Sequence, residues 1–245
     1  MIKGNMPYDG GYLLMDVTTK NHFVEQDRRV LQYMRRIVGS DEFINGIERW
    51  CFWITDDKAD AALEIPIIKE RADLVRDLRL GKSDKSAQRL AAYPYRFREM
   101  HETTTNSLVI PSVSSENREY IPVGFIDKKT VVTNLAFVIY DCDPWIFGVV
   151  SSKMHNLWIK AVCGGLETRI RYSSELGYNT FPFPAITDEQ KKDIRNCVNQ
   201  VIAIREEEFD KTYAQMYKKD EMSDNLRFAH SMLDLQIERC YRNEP

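Results

Sequence analysis

Residues 164–184, GGLETRIRYSSELGYNTFPFP, alternate charged and apolar side chains before an aromatic, proline-containing end. Successive residues of a β-strand point to opposite faces of its sheet. In one continuous strand, the charged face would carry Glu167, Arg169 and Arg171, and the packing face Leu166, Thr168, Ile170 and Tyr172. The pattern therefore predicts a strand that buries one face and presents a carboxylate and two guanidinium groups on the other.

Two interpretations fit such a charged face. Arginine can donate two hydrogen bonds to guanine, and glutamate can accept one from the cytosine amino group. Glu167 and Arg169 would lie about 6.5–7 Å apart along a strand, close enough to address one base pair or two neighbours. The alternative is a salt bridge on the sheet surface, which is worth about 0.2–1 kcal/mol. On periodicity alone, the salt bridge is the simpler interpretation.

Composition limits the class of protein. A chain of 245 residues that is 43% hydrophobic and 11% aromatic can bury a substantial core. No apolar run approaches the roughly 18 residues of a membrane helix, and the N-terminus lacks a secretory signal, so we expect no membrane contact. The five cysteines and four histidines are dispersed without metal-ligand spacing. This usage predicts reduced thiols, a cytoplasmic location and no metal site.

The charge of the chain is uneven. The net charge is −3, and residues 185–245 carry 10 basic and 13 acidic side chains, so the remainder is neutral. Within that remainder, residues 69–98 carry nine basic and four acidic side chains, a net charge of +5. Candidate contacts to a DNA backbone in this segment are Lys82, Lys85, Arg89, Arg96 and Arg98. The alternative is an ordinary solvated helix face.

Periodicity predicts a mixture of helices and strands in the first part of the chain. Helices are indicated over residues 22–39 and 66–81, and a long core helix over residues 145–165. One strand is predicted over residues 49–55 and another over residues 130–140. Two strands around a loop are predicted over residues 106–126.

The pattern changes after Pro184. Thr187 and Gln190 fit a capping box at the start of a helix. Two helices are predicted from apolar positions at helical spacing, namely Ile194, Val198, Val201 and Ile202, then Leu226, Leu233, Ile237 and Tyr241. The sequence thus predicts an α+β domain over residues 1–184 and a C-terminal helical segment over residues 185–245.

Motifs of self-contained enzymes are missing from the sequence. It has no glycine-rich dinucleotide loop, phosphate-binding P-loop or nucleophile elbow. Residues 5–8, NMPY, are superficially similar to the Asn-Pro-Pro-Tyr motif of adenine methyltransferases, but Met6 replaces the first proline. We therefore predict no catalytic residue in this chain.

Several long motifs, in order along almost the whole chain, resemble one family. They are GNMPYDGGYLLM, FINGIERWCFWI, VIPSVSSENREYIPVGF, FGVVSSKMHNLWIKAVCGGLETRIRYS, YNTFPFP and, near the end, LRFAHSMLDLQIERCY. They resemble the target recognition domain and the C-terminal helical segment of MmeI-type (type IIL) restriction–modification enzymes. In those enzymes one chain joins an endonuclease, an adenine-specific DNA methyltransferase and a DNA-reading domain.

The resemblance implies a mixed, mostly antiparallel sheet with packed helices that binds double-stranded DNA. It implies upstream or separate methyltransferase and endonuclease domains, which would use S-adenosylmethionine. This chain would need no cofactor and have no enzymatic activity alone. An alternative is a protein-interaction or specificity subunit that docks on a separate methyltransferase without reading bases.

The resemblance also implies roles for individual residues. Glu167 and Arg169 match the two positions that set one base pair, and the Glu/Arg combination goes with a C:G pair beside the methylated adenine. A Lys/Asp combination goes with the reversed pair. Arg171, Asn134 and Leu135 match other base-reading positions. Gly165 and Phe183 depart from the family, which often has arginine and tryptophan there.

A second set of candidates lies in the loop SSENREYIP. Its polar side chains could bind phosphates or base edges. The candidates are Ser114, Ser115, Asn117 and Arg118. The alternative is that the serines and asparagine only cap the loop, as these residues often do.

Overall fold

The computed structural model describes residues 1–166 and 169–242. In these residues the chain forms three β-sheets with helices packed around them, which confirms the predicted α+β class. The strands are β1 (Ile2–Lys3), β2 (Leu14–Asp16), β3 (Met34–Val38), β4 (Arg49–Phe52), β5 (Asn106–Pro111), β6 (Val113–Ser115), β7 (Gly124–Asp127), β8 (Val131–Val132), β9 (Ala136–Tyr140), β10 (Gly165–Leu166) and β11 (Arg169–Arg171). The α-helices are α1 (Val17–Gln26), α2 (Ser40–Asn45), α3 (Ala59–Leu63), α4 (Pro66–Leu80), α5 (Lys85–Leu90), α6 (Pro144–Ser151), α7 (Lys153–Val162), α8 (Asp188–Glu207), α9 (Tyr213–Met216) and α10 (Asp224–Arg242).

The three sheets are built mostly from antiparallel pairs. The order is β1-β9-β5-β7 in the first sheet, β2-β4-β3-β8 in the second and β10-β11-β6 in the third. The pair β3–β8 is parallel. Because β8 and β9 follow each other in the chain but lie in different sheets, the turn at residues 133–135 joins the second sheet to the first.

The C-terminal helices pack into the core of the preceding domain. One hydrophobic cluster contains Leu108 and Val123 from the first part of the chain together with Ile194, Leu226 and Leu233. The contact between α6 and α8 is close, since a Cβ atom on Gly148 would lie 2.4 Å from Cγ2 of Ile194. The predicted buried side of each C-terminal helix is confirmed, while a domain boundary between residues 184 and 185 stays a prediction.

A buried polar network strengthens this packing. Arg205 on α8 donates to the Tyr217 hydroxyl at 2.6 Å and to the Val123 carbonyl oxygen at 2.7 Å. The Tyr217 hydroxyl also bonds Nε2 of His230 on α10 at 2.7 Å. Since buried polar groups are costly without partners, these bonds fix the register of both helices against the sheet domain.

A second buried arginine organises the basic segment. The guanidinium of Arg79, at the end of α4, is fully buried and donates to five main-chain carbonyl groups. The acceptors, at 2.8–3.3 Å, belong to Pro7, Tyr8, Leu90, Tyr93 and Arg96. Burial lowers the pKa of this guanidinium. One side chain therefore joins α4, α5, the following loop and the N-terminal segment.

Several local predictions are confirmed. Helix α4 begins at Pro66 and ends before Gly81, and β4 lies where the sequence indicates a buried strand. Thr187 and Gln190 form the predicted capping box at the start of α8.

Several predicted elements are wrong in extent or number. Residues 106–126, predicted as two strands, contribute to three, namely β5, β6 and β7. The helix predicted over residues 22–39 ends at Gln26, because Asp27 caps a 3₁₀ turn and the chain then forms β3. The strand predicted over residues 130–140 is two strands in different sheets. The helix predicted over residues 145–165 is broken at Ser152, whose Oγ accepts from the amide of His155. In each case pairing or capping overrides an uninterrupted apolar pattern.

Acid should destabilise this fold through its buried histidines. Burial lowers the pKa of His155 to about 3, and burial followed by the nearby Arg205 lowers that of His230 well below its usual value. Below about pH 6.5 the unfolded chain therefore binds protons that the folded chain excludes. The free energy of unfolding should fall as pH decreases from 6.5, by about 1 kcal/mol per pH unit for each histidine.

Urea unfolding of the full chain between pH 7 and 4.5 measures this slope. His155→Gln should lower the slope by about 1 kcal/mol per pH unit. The matched His22→Gln change, at an exposed histidine, should retain it. An unchanged slope in His155→Gln would contradict a neutral, buried His155.

Candidate nucleic-acid interface

One face of strand β11 packs into the hydrophobic core. Ile170 and Tyr172, at its centre and just past its end, are buried, whereas Arg169 and Arg171 are exposed. The Tyr172 hydroxyl lies 2.8 Å from Nε2 of His155 on α7, and burial holds the tyrosine pKa well above its usual value. The predicted alternation is confirmed for these four residues, and the anchored face directs both arginines outward.

The continuous strand predicted over residues 166–172 is wrong. Strands β10 and β11 pair antiparallel with Leu166 opposite Arg169, so the chain reverses direction between them. Glu167 lies outside the described residues, and its predicted role as a base-reading partner of Arg169 stays a prediction. On its other side β11 pairs with β6, which places Arg169 opposite Ser115.

The turn between β8 and β9 carries two more candidates. Leu135 is 58% exposed and Asn134 is partly exposed. Their main chain is held firmly, since the Asn134 amide donates to the Asn5 carbonyl at 2.8 Å. The Leu135 carbonyl accepts from the hydroxyls of Ser40 at 2.5 Å and Ser112 at 2.7 Å. Among the described residues, the side-chain amide of Asn134 makes no hydrogen bond.

A cleft of about 860 Å³ joins this turn to β11. The described residues that line it are Lys3, Ser112, Val113, Asn134, Leu135, Phe137, Gly164, Arg171, Tyr172, Ser173, Ser174, Glu175 and Leu176. Three base-reading candidates from two separate parts of the sequence, Asn134 and Leu135 in the turn and Arg171 on β11, thus meet at one surface. Lys3 and Arg171 against Glu175 give the described lining a net positive charge.

The candidates in the SSENREYIP loop differ in how far their side chains are buried. Ser114 is buried, and its hydroxyl accepts from Nη1 of Arg118 at 3.3 Å. Arg118 is half-buried, and burial lowers its pKa. Asn117 is exposed, and its amide donates to the Ser115 hydroxyl at 3.3 Å. Ser114 and Arg118 therefore support the loop, and Asn117 is the exposed residue among the four candidates.

The five basic candidates differ in whether their cationic groups already have a partner. Arg96 pairs with Asp56 at 2.6 Å, and the guanidinium of Arg98 lies 5.4 Å from the ring centre of Tyr8. The remaining three, Lys82, Lys85 and Arg89, are exposed around α5. No ion pair or hydrogen bond occupies their cationic groups within the described ranges, so these three are free to meet a phosphate.

Asn5 of the NMPY segment is held by hydrogen bonds within the fold. Asn5 is buried, its side-chain oxygen accepts from the amide of His101, and its NH₂ group approaches the Tyr140 hydroxyl at 3.4 Å. Its amide therefore joins the N-terminus to β9.

No group of three or more His, Cys, Asp or Glu side chains is arranged to hold a metal ion within residues 1–166 and 169–242. In the same residues, no helix is both long and apolar enough to cross a membrane.

Four residues of the cleft have no signal in the sequence that marks them as site residues. Lys3, Ser112, Ser173 and Ser174 line it but carry no local motif. Lys3 reaches the cleft only because β1 pairs with β9, where Lys3 lies opposite Phe137. Such a long-range pairing leaves no signal in a two-residue strand, although the serines adjoin segments that already held candidates.

Comparison with known proteins gives one consistent result. The family model described as MmeI, target recognition domain, matches residues 1–185, and that described as MmeI, C-terminal domain, matches residues 186–245. DNA methyltransferase A of Bacillus subtilis (strain 168) is 41% identical over 241 residues, which cover 98% of this chain and 27% of that protein.

A solved structure gives the same correspondence. The type IIL restriction–modification enzyme MmeI, in complex with DNA, superposes with a TM-score of 0.94 at 35% identity. The match covers 100% of this chain and 33% of that one. The chain therefore spans about a quarter to a third of the length of these two relatives.

Removing the anchor of β11 should destabilise the fold. Tyr172→Phe removes the partner of His155 Nε2 and should cost about 1–3 kcal/mol, because a buried polar group is left unsatisfied. Thermal or urea unfolding of the full chain measures this loss. Tyr93→Phe, at a tyrosine that is 48% exposed, is the matched control and should change stability by less than about 0.5 kcal/mol. Equal stability of both variants would contradict the anchoring role.

Proposed function

This chain belongs to the family of MmeI target recognition and C-terminal domains, and we propose that it reads the base sequence of double-stranded DNA. The reading surface comprises the outward face of β11 and the turn at residues 134–135. The observation that carries the proposal is their convergence on one cleft, which collects Arg171, Asn134 and Leu135 beside the exposed Arg169.

The chemistry of these side chains suits the major groove. Arginine recognises guanine through O6 and N7, asparagine recognises adenine through N6 and N7, and an apolar side chain can contact the thymine methyl group. The major groove also admits a two-stranded β-ribbon, and the antiparallel pair β10–β11 forms one side of the small three-stranded sheet β10-β11-β6. A firmly held main chain under all four side chains supports sequence-specific rather than general binding.

A separate surface would contact the phosphates. Lys82, Lys85 and Arg89 are exposed, and their cationic groups have no partner in the described part of the chain. Phosphate contacts fix the orientation of a protein on DNA without specifying bases. By this proposal Arg96 and Arg98 contribute less, because Asp56 and Tyr8 already engage them.

The parent protein is proposed to be a cytoplasmic, S-adenosylmethionine-dependent adenine-specific DNA methyltransferase with a fused or associated endonuclease. Support comes from the relatives, of which this chain matches only a part. Residues 1–184 would read DNA, and residues 185–245 would brace that domain through their shared core. Chemistry on a base within a duplex requires its extrusion, which would be the task of the catalytic part.

Selection of random duplex DNA on the full chain tests base reading. The experiment runs at low salt, beside a Glu167→Lys, Arg169→Asp double variant and an Arg171→Ala variant. The wild-type chain should enrich one motif. The double variant should invert one C:G pair, because its donor and acceptor are exchanged. Arg171→Ala should relax a different base pair by about 1–3 kcal/mol.

Arg28→Ala is the matched control, since Arg28 is an exposed arginine on the 3₁₀ turn before β3. It should retain the wild-type motif. Binding without any enriched motif would reject base reading and favour a docking subunit. An identical motif from the wild-type chain and the double variant would reject the roles of Glu167 and Arg169.

The proposed phosphate contacts predict a specific salt dependence. Lys85→Ala and Arg89→Ala should each lower the affinity for all sequences and reduce the slope of log affinity against log salt by about 1. Lys192→Ala, an exposed lysine on α8, is the control and should leave the slope unchanged. Binding titrations between 50 and 200 mM salt, about the range in which such contacts weaken most visibly, measure the slope. An unchanged slope in both variants would remove α5 from the interface.

A further inference from the structure

We infer that Ser40 is a positioning residue that sets the distance between the two base-reading elements. The inference rests on the proposed function and adds a residue outside the reading surface. Ser40 opens helix α2, which belongs to neither the 134–135 turn nor β11. Its hydroxyl nevertheless bonds the main chain of the turn at Leu135 and that of Ser112, whose carbonyl accepts from the residue just past β11.

The hydroxyl of Ser40 makes two bonds of opposite sense to main-chain groups, and it also lies 3.2 Å from the Ser112 hydroxyl. It donates to the carbonyl oxygen of Leu135 at 2.5 Å and accepts from the amide of Ser112 at 2.9 Å. Ser112 lies between β5 and β6, and its own carbonyl accepts from the amide of Tyr172 at 2.9 Å. A chain of hydrogen bonds therefore runs from the turn through Ser40 to the end of β11.

The segment before Ser40 lies equally close to the turn. The amide of Thr133 donates to the Val38 carbonyl at 2.8 Å. A Cβ atom on Gly39 would lie 2.9 Å from Oγ1 of Thr133 and 3.1 Å from Cβ of Leu135. Residues 38–40 are thus a close-fitting brace behind the turn, and Ser40 is the brace residue whose side chain reaches the turn main chain.

The hydrogen bonds from this brace to the turn are made to main-chain atoms. The Leu135 carbonyl and the Ser112 amide are present whatever side chains occupy the reading positions. Base discrimination depends on placing donors and acceptors within a fraction of an ångström. Loss of the Ser40 hydroxyl should therefore reduce discrimination between bases by the turn. Contacts made by exposed lysines and arginines elsewhere should stay intact.

The test compares selected motifs and amide exchange in the full chain. Asn134→Ala first identifies the base pair read by the turn, and Arg169→Ala identifies the pair read by β11. Ser40→Ala should reduce discrimination at the turn-read pair by about fivefold or more. It should retain the β11-read pair and the slope of affinity against salt. Ser40→Thr, which keeps a hydroxyl, should restore discrimination.

Hydrogen–deuterium exchange provides a readout that needs no DNA. Amides in residues 131–137 should exchange faster in Ser40→Ala than in the wild-type chain. Ser231→Ala is the matched control, since it removes a hydroxyl that donates to the Arg227 carbonyl at 2.9 Å on α10. That control should leave both exchange at residues 131–137 and the selected motif unchanged.

The outcomes separate this inference from the proposed function. If Ser40→Ala selects the same motif as the wild-type chain, the positioning role is overturned and base reading is still supported. Equal weakening at every base pair would also overturn it, because that result indicates general destabilisation. Absence of a motif from the wild-type chain would overturn the proposed function, and the inference with it, even if exchange at residues 131–137 increases.

Discussion

The hydrogen bond between the Tyr172 hydroxyl and His155 decides which face of β11 enters the core. With Tyr172 and Ile170 buried, strand geometry leaves Arg169 and Arg171 no position except the exposed face. A one-residue shift of this strand would bury both guanidinium groups and expose the two apolar side chains. The cost of that exchange makes the outward arginines a consequence of core packing and not of local preference.

A fixed main chain below an exposed side chain is also found in the neighbouring turn. The carbonyl of Leu135 has two hydroxyl donors, while its side chain is exposed. The turn also marks the point where the chain passes from the second sheet to the first. Paired strands flank the turn on both sides, β8 before it and β9 after it. A surface of this kind can change its side chains without changing its shape.

Arginine serves two different purposes in this molecule. Arg79 and Arg205 are buried and donate to main-chain carbonyl groups or hydroxyls, so they act as cross-links within the fold. Arg169 and Arg171 are exposed beside the cleft. Counting charges along the sequence cannot separate these uses, because both kinds contribute equally to the net charge. The basic segment at residues 69–98 shows this, since one of its nine cations is the buried Arg79 and another pairs with Asp56.

The sequence by itself determined the elements whose signals are local. The proline and glycine around α4, the capping box of α8 and the apolar sides of α8 and α10 depend on neighbouring residues, and the structure confirms them. The alternation at residues 169–172 belongs to the same group. Resemblance of long motifs added the family, which periodicity could not supply.

Only the tertiary structure decided where the chain breaks and which distant residues meet. The strand over residues 130–140 divides because β8 pairs with β3 and β9 with β5, and such pairings between remote segments leave no periodic trace. Lys3 reaches the cleft, and Ser40 reaches the turn at residues 134–135, for the same reason. Which distant main-chain atoms a side chain reaches depends on the tertiary fold, so the sequence alone does not reveal these contacts.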